Sequence, residues 1–235
     1  MKSDLPLQAS GAAAADYDAG LRSFMLGVYN HMMAGLGVTG IVAFMVAASP
    51  DMMAAIHGSP LKWVVMLAPL AGVLVLSFGI HRMSLSTART VFYGYAGAMG
   101  LSLSYIAAAY AGADLARAFF ITAGAFAGLS LYGYTTRRDL TAMGAFLVIG
   151  LVGLILASVV NLFVGSTALE FALSVISVLI FGGLTAWDTQ KLKESYAAGR
   201  GAEDSGKLAL MGALSLYLDF INLFISILRL TSSRD

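Results

Sequence analysis

Seven apolar stretches of about twenty residues succeed one another along this chain, at approximately 26–48, 61–80, 91–111, 116–134, 143–164, 169–187 and 208–230. A helix rising 1.5 Å per residue needs about 20 residues to cross roughly 30 Å of hydrocarbon. Only 11% of the 235 residues are charged and 59% are hydrophobic, whereas a water-soluble domain carries about a quarter charged residues. Charge is too scarce to coat a surface facing water. The pattern predicts an all-α, polytopic membrane protein with seven transmembrane helices, spanning 26–235 as one domain behind a flexible cytoplasmic N-terminal tail, 1–25.

The opening residues include Asp4, Asp16 and Asp18 but no long apolar core behind a basic start, so no cleavable signal peptide is predicted. Cysteine is absent, which excludes disulfides, thiolate catalysis and cysteine-ligated metal. Basic residues are scattered over span ends and form no patch with interleaved aromatics, so nucleic acid is not an expected partner. With the N-terminus inside, Lys2, Arg22, Arg82, Arg89, Arg137, Arg138, Lys191, Lys193, Arg200 and Lys207 face the cytoplasm. Lys62, Arg117, Arg229 and Arg234 are left outside, a ratio of ten to four. Retention of Lys and Arg on the cytoplasmic side therefore predicts N-terminus in, C-terminus out. The glycines within the spans, among them Gly35, Gly37, Gly40, Gly124, Gly128, Gly150 and Gly153, are expected to let helix backbones approach closely.

The last span, LALMGALSLYLDFINLFISILRL, is strongly apolar but holds Asp219 about 18 Å from a start near Lys207. That is close to the bilayer midplane, where a carboxylate costs roughly 2.5 kcal/mol or more. Ser215, Asp219, Asn222 and Ser226 follow at spacings of four, three and four, which places them in one narrow stripe at about 100° per residue. Such a stripe belongs inside the bundle, either as interhelical hydrogen bonds or as the wall of a path for water or ions. Asp188 closes the sixth span in FGGLTAWDTQKLKE, with Lys191 and Lys193 just beyond. It reads equally as a solvated helix-end charge and as a buried partner for Asp219. If the two meet, both cannot ionise cheaply in a poorly hydrated site, and they share a proton. Arg82, after the second span, either anchors that helix at the membrane surface or pairs with the two carboxylates. His31, His57 and His81 show no metal-ligand spacing.

Several of these segments resemble the Bax inhibitor-1, or transmembrane Bax inhibitor motif, family in its bacterial branch. They are VYNHMMAGLGVTG, YGYTTRRDLTAMGAFLVIGLVGLILASVVNLF, FGGLTAWDTQKLK and ALSLYLDFINLFISILRL. The resemblance implies seven helices with a central last helix, and a pH-sensitive calcium-leak channel in the bacterial inner membrane. It puts a two-aspartate pH sensor on Asp188 and Asp219, with calcium as permeant ion and as a contact of the same pair. It puts an arginine latch on Arg82, or on His81 if the alignment shifts by one residue, and needs no cofactor.

Family members that act through partners leave a second reading open, a non-conducting regulator that binds a membrane protease or another membrane protein. An intramembrane aspartyl protease also carries one aspartate on each of two successive helices. Here, however, no Gly-x-Gly-Asp surrounds Asp219 and no Pro-Ala-Leu follows it. The chain is accordingly not expected to be an enzyme.

Overall fold

The computed structural model describes residues 5–196 and 201–232. The described chain folds into α-helices α1 (Leu5–Ala47), α2 (Pro50–His57), α3 (Leu61–Gly79), α4 (Leu85–Ala109), α5 (Gly112–Thr135), α6 (Thr141–Val164), α7 (Thr167–Ser195) and α8 (Ala202–Thr231), with a 3-10 turn at Ile80–Arg82. Lys2, Arg200 and Arg234 of the charge tally, and the end of the expected domain, lie outside the described residues.

Six helices, α1, α3, α5, α6, α7 and α8, are long and apolar enough to cross a membrane. They account for six of the seven expected spans, and α4 is the exception. Its 25 residues suffice in length, but its composition is diluted by Arg89 and by Ser, Thr, Tyr and Gly. Three polar groups of α4 bond to neighbouring helices. Tyr93 meets His31 Nδ1 at 2.8 Å, the Ala96 carbonyl accepts from Thr39 at 2.8 Å, and Ser104 meets His57 Nε2 at 2.8 Å.

Of the segment 1–25, expected to be a flexible tail, the described part from Leu5 onward is helical. Helix α1 begins at Leu5, because the Ala-rich run GAAAAD favours helix strongly. From Tyr17 onward it has its own apolar stripe. Tyr17, Leu21, Phe24 and Val28 recur at helical spacing, and Leu21, Phe24 and Val28 are buried. The Tyr17 and Phe24 rings lie 5.3 and 5.6 Å from that of Tyr196 at the end of α7.

Helix α8 is the centre of the bundle. In its most apolar window 61% of residues are buried, against 11–33% in the other five spanning candidates. It packs chiefly on α1, α4, α5 and α7, while α3 is held mainly by α4 and α6 by α7. The wrap around the last helix is thus an inner ring of four with two outer helices. The outer surface is an apolar coat that includes Phe78, Ile149, Leu162 and Phe163, which suits lipid and not water.

Glycine packing differs from expectation. Gly35 and Gly150 do meet side chains, of Phe92 and Ile180, but Gly37, Gly40, Gly124, Gly128 and Gly153 face open space. The closest approaches fall elsewhere. A Cβ on Gly133 would strike the Ala186 carbonyl oxygen, and one on Gly144 the Trp187 ring. Gly165 ends α6 at φ 64°, a left-handed position that costs other L-residues roughly 1 kcal/mol. Gly165→Ala is expected to lower stability by about that amount in detergent melting experiments.

Candidate functional site

The segment TAWDTQKLK fixes the last third of α7 to α5, α6 and their connection. Trp187 covers Gly144 of α6, and Ala186 lies against Gly133 of α5. Thr189 Oγ1 is 3.0 Å from Ser130 Oγ, which also bonds Tyr29 of α1. Gln190 clamps the α5–α6 connection at both ends of its amide. Its Oε1 accepts from the Leu140 N–H at 2.8 Å and its Nε2 donates to the Arg138 carbonyl at 2.8 Å. Lys193 Nζ donates to the Tyr134 carbonyl at 2.8 Å. In the same connection, Asp139 accepts from the Thr141 N–H at 2.8 Å, and hydrogen bonding from Thr141 holds its carboxyl below the usual carboxylate range.

With those residues occupied on α5 and α6, the remaining face of α7 meets α8. Two contacts set the antiparallel register. Ser226 Oγ donates to Ser177 Oγ at 2.7 Å, and Leu192 packs against Gly212. Counting from these contacts puts Asp188 level with Ser215 or Leu216, and Asp219 about one turn further along α8, level with Leu184 or Thr185. The axial offset is roughly 5–6 Å at 1.5 Å per residue. The two carboxyls are within electrostatic reach of each other, because α7 runs on to Ser195 instead of ending near residue 187.

Asp219 is 4% exposed, and its Oδ2 has no hydrogen-bond partner among the described residues. Asp188 is half-buried. The cation acting on Asp188 is Lys191, whose Nζ also lies 5.0 Å from the centre of the Trp187 ring. Arg82 is not brought to the pair. It stands exposed in the 3-10 turn after α3, without an ion pair or hydrogen bond among the described residues. His81 beside it is also exposed.

The polar stripe of α8 divides between packing and a cleft. Asn222 Nδ2 donates to the Leu218 carbonyl at 2.8 Å, and Ser226 bonds both Ser177 and the Asn222 carbonyl. Asn222 and Ser226 also line a cleft of about 710 Å³ between α6, α7 and α8, together with Ser158, Asn161 and Ser174. It opens at the end of the bundle opposite the α7–α8 connection. Its floor at Phe181 and Asn222 lies within one helical turn of Asp219. Exchanging Ser226 and Ser177 for alanine, singly and together, is expected to give a coupling of about 0.6 kcal/mol and no more than about 1.7 in a detergent unfolding cycle.

Comparison with known proteins bears on the same residues. Residues 21–235 match the family described as Bax1-I, inhibitor of apoptosis-promoting Bax1. The chain belongs to the Bax inhibitor-1 family. An uncharacterized protein of Rickettsia prowazekii is 46% identical over 218 residues, covering 93% of this chain and 92% of that one. An uncharacterized protein of Caulobacter vibrioides is 45% identical over 217 residues, covering 88% and 87%. Inner membrane protein YbhL of Escherichia coli K12 is 42% identical over 219 residues, covering 92% and 94%. The match spans every long helix of the bundle, so the apolar coat and helical architecture are those of a Bax inhibitor-1 family membrane protein.

Within this family member, two groups of buried polar residues escape a reading by charge alone. Tyr217, fully buried on α8, meets Thr39 Oγ1 at 2.6 Å and faces Tyr95 at 5.5 Å between ring centres. The Tyr29–Ser130–Thr189 chain ties α1 and α5 to the residue beside Asp188. Single Ser and Thr residues in apolar spans give no periodic signal for the second. Tyr217 is visible in sequence only as an aromatic at helical depth. Among the described residues no three His, Cys, Asp or Glu side chains gather to hold a metal ion.

Proposed function

We propose that this protein is a pH-sensitive calcium-leak channel of a bacterial inner membrane, with seven crossings, the N-terminus cytoplasmic and the C-terminus outside. The observation that carries this reading is a carboxylate buried mid-helix, with one oxygen unpartnered, beside a second carboxyl on the facing helix. In hydrocarbon such a group is retained only for a function that needs it. Helix α4, enclosed by α1, α3 and α8, supplies the seventh crossing.

In this reading calcium is the permeant ion and not a resident cofactor. Calcium prefers six to eight oxygens, and two carboxyls with Ser215 nearby offer a passing contact. The cleft lined by Asn222 and Ser226 forms one vestibule, and Asp219 stands below its floor. Asp188 continues the path toward the basic end. The pair shares a proton because two charges so close cannot both be held cheaply away from water. Losing that proton increases the pair's attraction for Arg82, and α3, held mainly by α4, can swing to close over it. Gaining the proton releases the latch, so flux rises on acidification.

The test is calcium flux from lipid vesicles holding the purified protein, recorded from alkaline to acidic pH against protein-free vesicles. The proposal expects flux above the empty vesicles that grows as pH falls. Absence of flux at every pH, with recovery of a membrane protease or another membrane protein in pull-down, would assign the chain to the non-conducting regulators.

A further inference from the structure

Helices α1 and α5 both flank α8 but touch each other little beyond the Tyr29–Ser130 hydrogen bond. Between them runs a crevice whose floor is α8 itself. One part, about 730 Å³, reaches from Arg22 and Tyr134 to Leu36 and Phe119, and a second, about 330 Å³, continues past Thr39 to Gly112. Leu36, Phe119 and Phe220 border both. The walls are Met, Leu, Phe and Ala almost throughout. The Tyr29 and Ser130 hydroxyls, which also line it, bond each other.

Its α1 and α5 walls qualify as membrane spans, and α4 adds Leu103, Ile106 and Ala107 to the second part, so the crevice opens into hydrocarbon and not into water. Its ends differ in charge. Arg22 lies at one mouth, exposed and without an ion pair among the described residues. Lys193 lies beside it, with its ammonium on the Tyr134 carbonyl and 5.5 Å from that ring. From Arg22 to Leu36 the wall of α1 runs about 21 Å at 1.5 Å per residue, enough for a fatty chain to lie along one leaflet of a ~30 Å core.

We propose that this crevice is a phospholipid site. An acyl chain lies along Met25, Met32, Phe126 and Phe220, and its anionic headgroup rests against Arg22. An arginine at the membrane surface favours anionic over zwitterionic headgroups, and a long apolar slot between helices selects a chain over a free phosphate. The occupant also borders the residues that hold the two carboxyls. Phe220 adjoins Asp219 in the chain, and Ser130 bonds Thr189 beside Asp188. Binding itself does not depend on whether the protein conducts.

Native mass spectrometry of protein extracted from vesicles of phosphatidylglycerol and phosphatidylcholine tests the site. The wild type is expected to retain phosphatidylglycerol in preference to phosphatidylcholine. Arg22→Gln, an exposed change, should lower that retention about five- to tenfold. Ala127→Trp, which fills the crevice with Arg22 intact, should lower retention of both lipids. Equal retention by all three proteins would overturn the proposal. A dimer without lipid that Ala127→Trp dissociates would overturn it too, by giving the crevice to a second copy.

Discussion

Vesicles carrying Asp219→Asn are expected to leak calcium at a rate that no longer responds to pH. Asparagine keeps the size and the hydrogen-bonding capacity of the side chain but removes its proton equilibrium. Asp219 on α8 and Asp188 on α7 lie within electrostatic reach of each other, so each proton bound at one alters the charge seen by the other. Every unit of such coupling corresponds to about tenfold in the population of the closed state, or about 1.4 kcal/mol. The ratio of acidic to alkaline flux should therefore fall from roughly tenfold or more to near one. Asp188→Asn should produce the same flattening although Asp188 is half-buried, because the response belongs to the pair. A response that survives both substitutions unchanged would remove the carboxyls from gating.

The second large effect concerns the backbone that holds Asp188 in place. Gly133→Val puts a branched side chain where the Ala186 carbonyl oxygen already sits. Backbone cannot move aside as the end of a flexible side chain can, so α5 and α7 must separate. Overpacking of this kind costs about 1–3 kcal/mol, and occasionally more. Thermal unfolding in detergent should show that loss for Gly133→Val. Gly128→Val, five residues earlier in the same helix and open to its surroundings, should stay within about 0.5 kcal/mol of the wild type. Equal melting of the two variants would mean that α5 and α7 are not in close contact at Gly133.

Helix type and most helix positions are legible in the sequence because hydrocarbon imposes length and apolarity on every crossing, and those properties are written locally. The exception, α4, shows where the rule weakens. A helix that bonds His31, Thr39 and His57 through its own polar groups is less apolar than one coated by lipid. The N-terminal segment reads as a tail for a related reason: its apolar stripe of Tyr17, Leu21, Phe24 and Val28 is interrupted by charges. Glycines tell little individually, since Gly128 and Gly133 look alike in sequence and differ only in which neighbour they face.

The candidate site is legible in part. A charge deep in an apolar helix is conspicuous wherever it occurs, which singles out Asp219. Its register with Asp188 depends on the length of α7 beyond the apolar run, and that length is set by Gln190 and Lys193 gripping the α5–α6 connection. No periodicity in the sequence reports such a grip. Arg82 is assigned by resemblance, and the structure leaves it exposed while Lys191 acts on Asp188. The latch therefore requires movement of α3, which hydrogen exchange at the end of that helix across pH would follow.

The shared proton is the centre of this account, and infrared difference spectroscopy of the carboxyl groups across pH addresses it directly. Asp188→Asn and Asp219→Asn samples would be compared with the wild type in the same lipid. The account predicts one protonated-carboxyl band in the wild type that either substitution removes or displaces. Two bands that titrate independently, each deleted only by its own substitution, would contradict it.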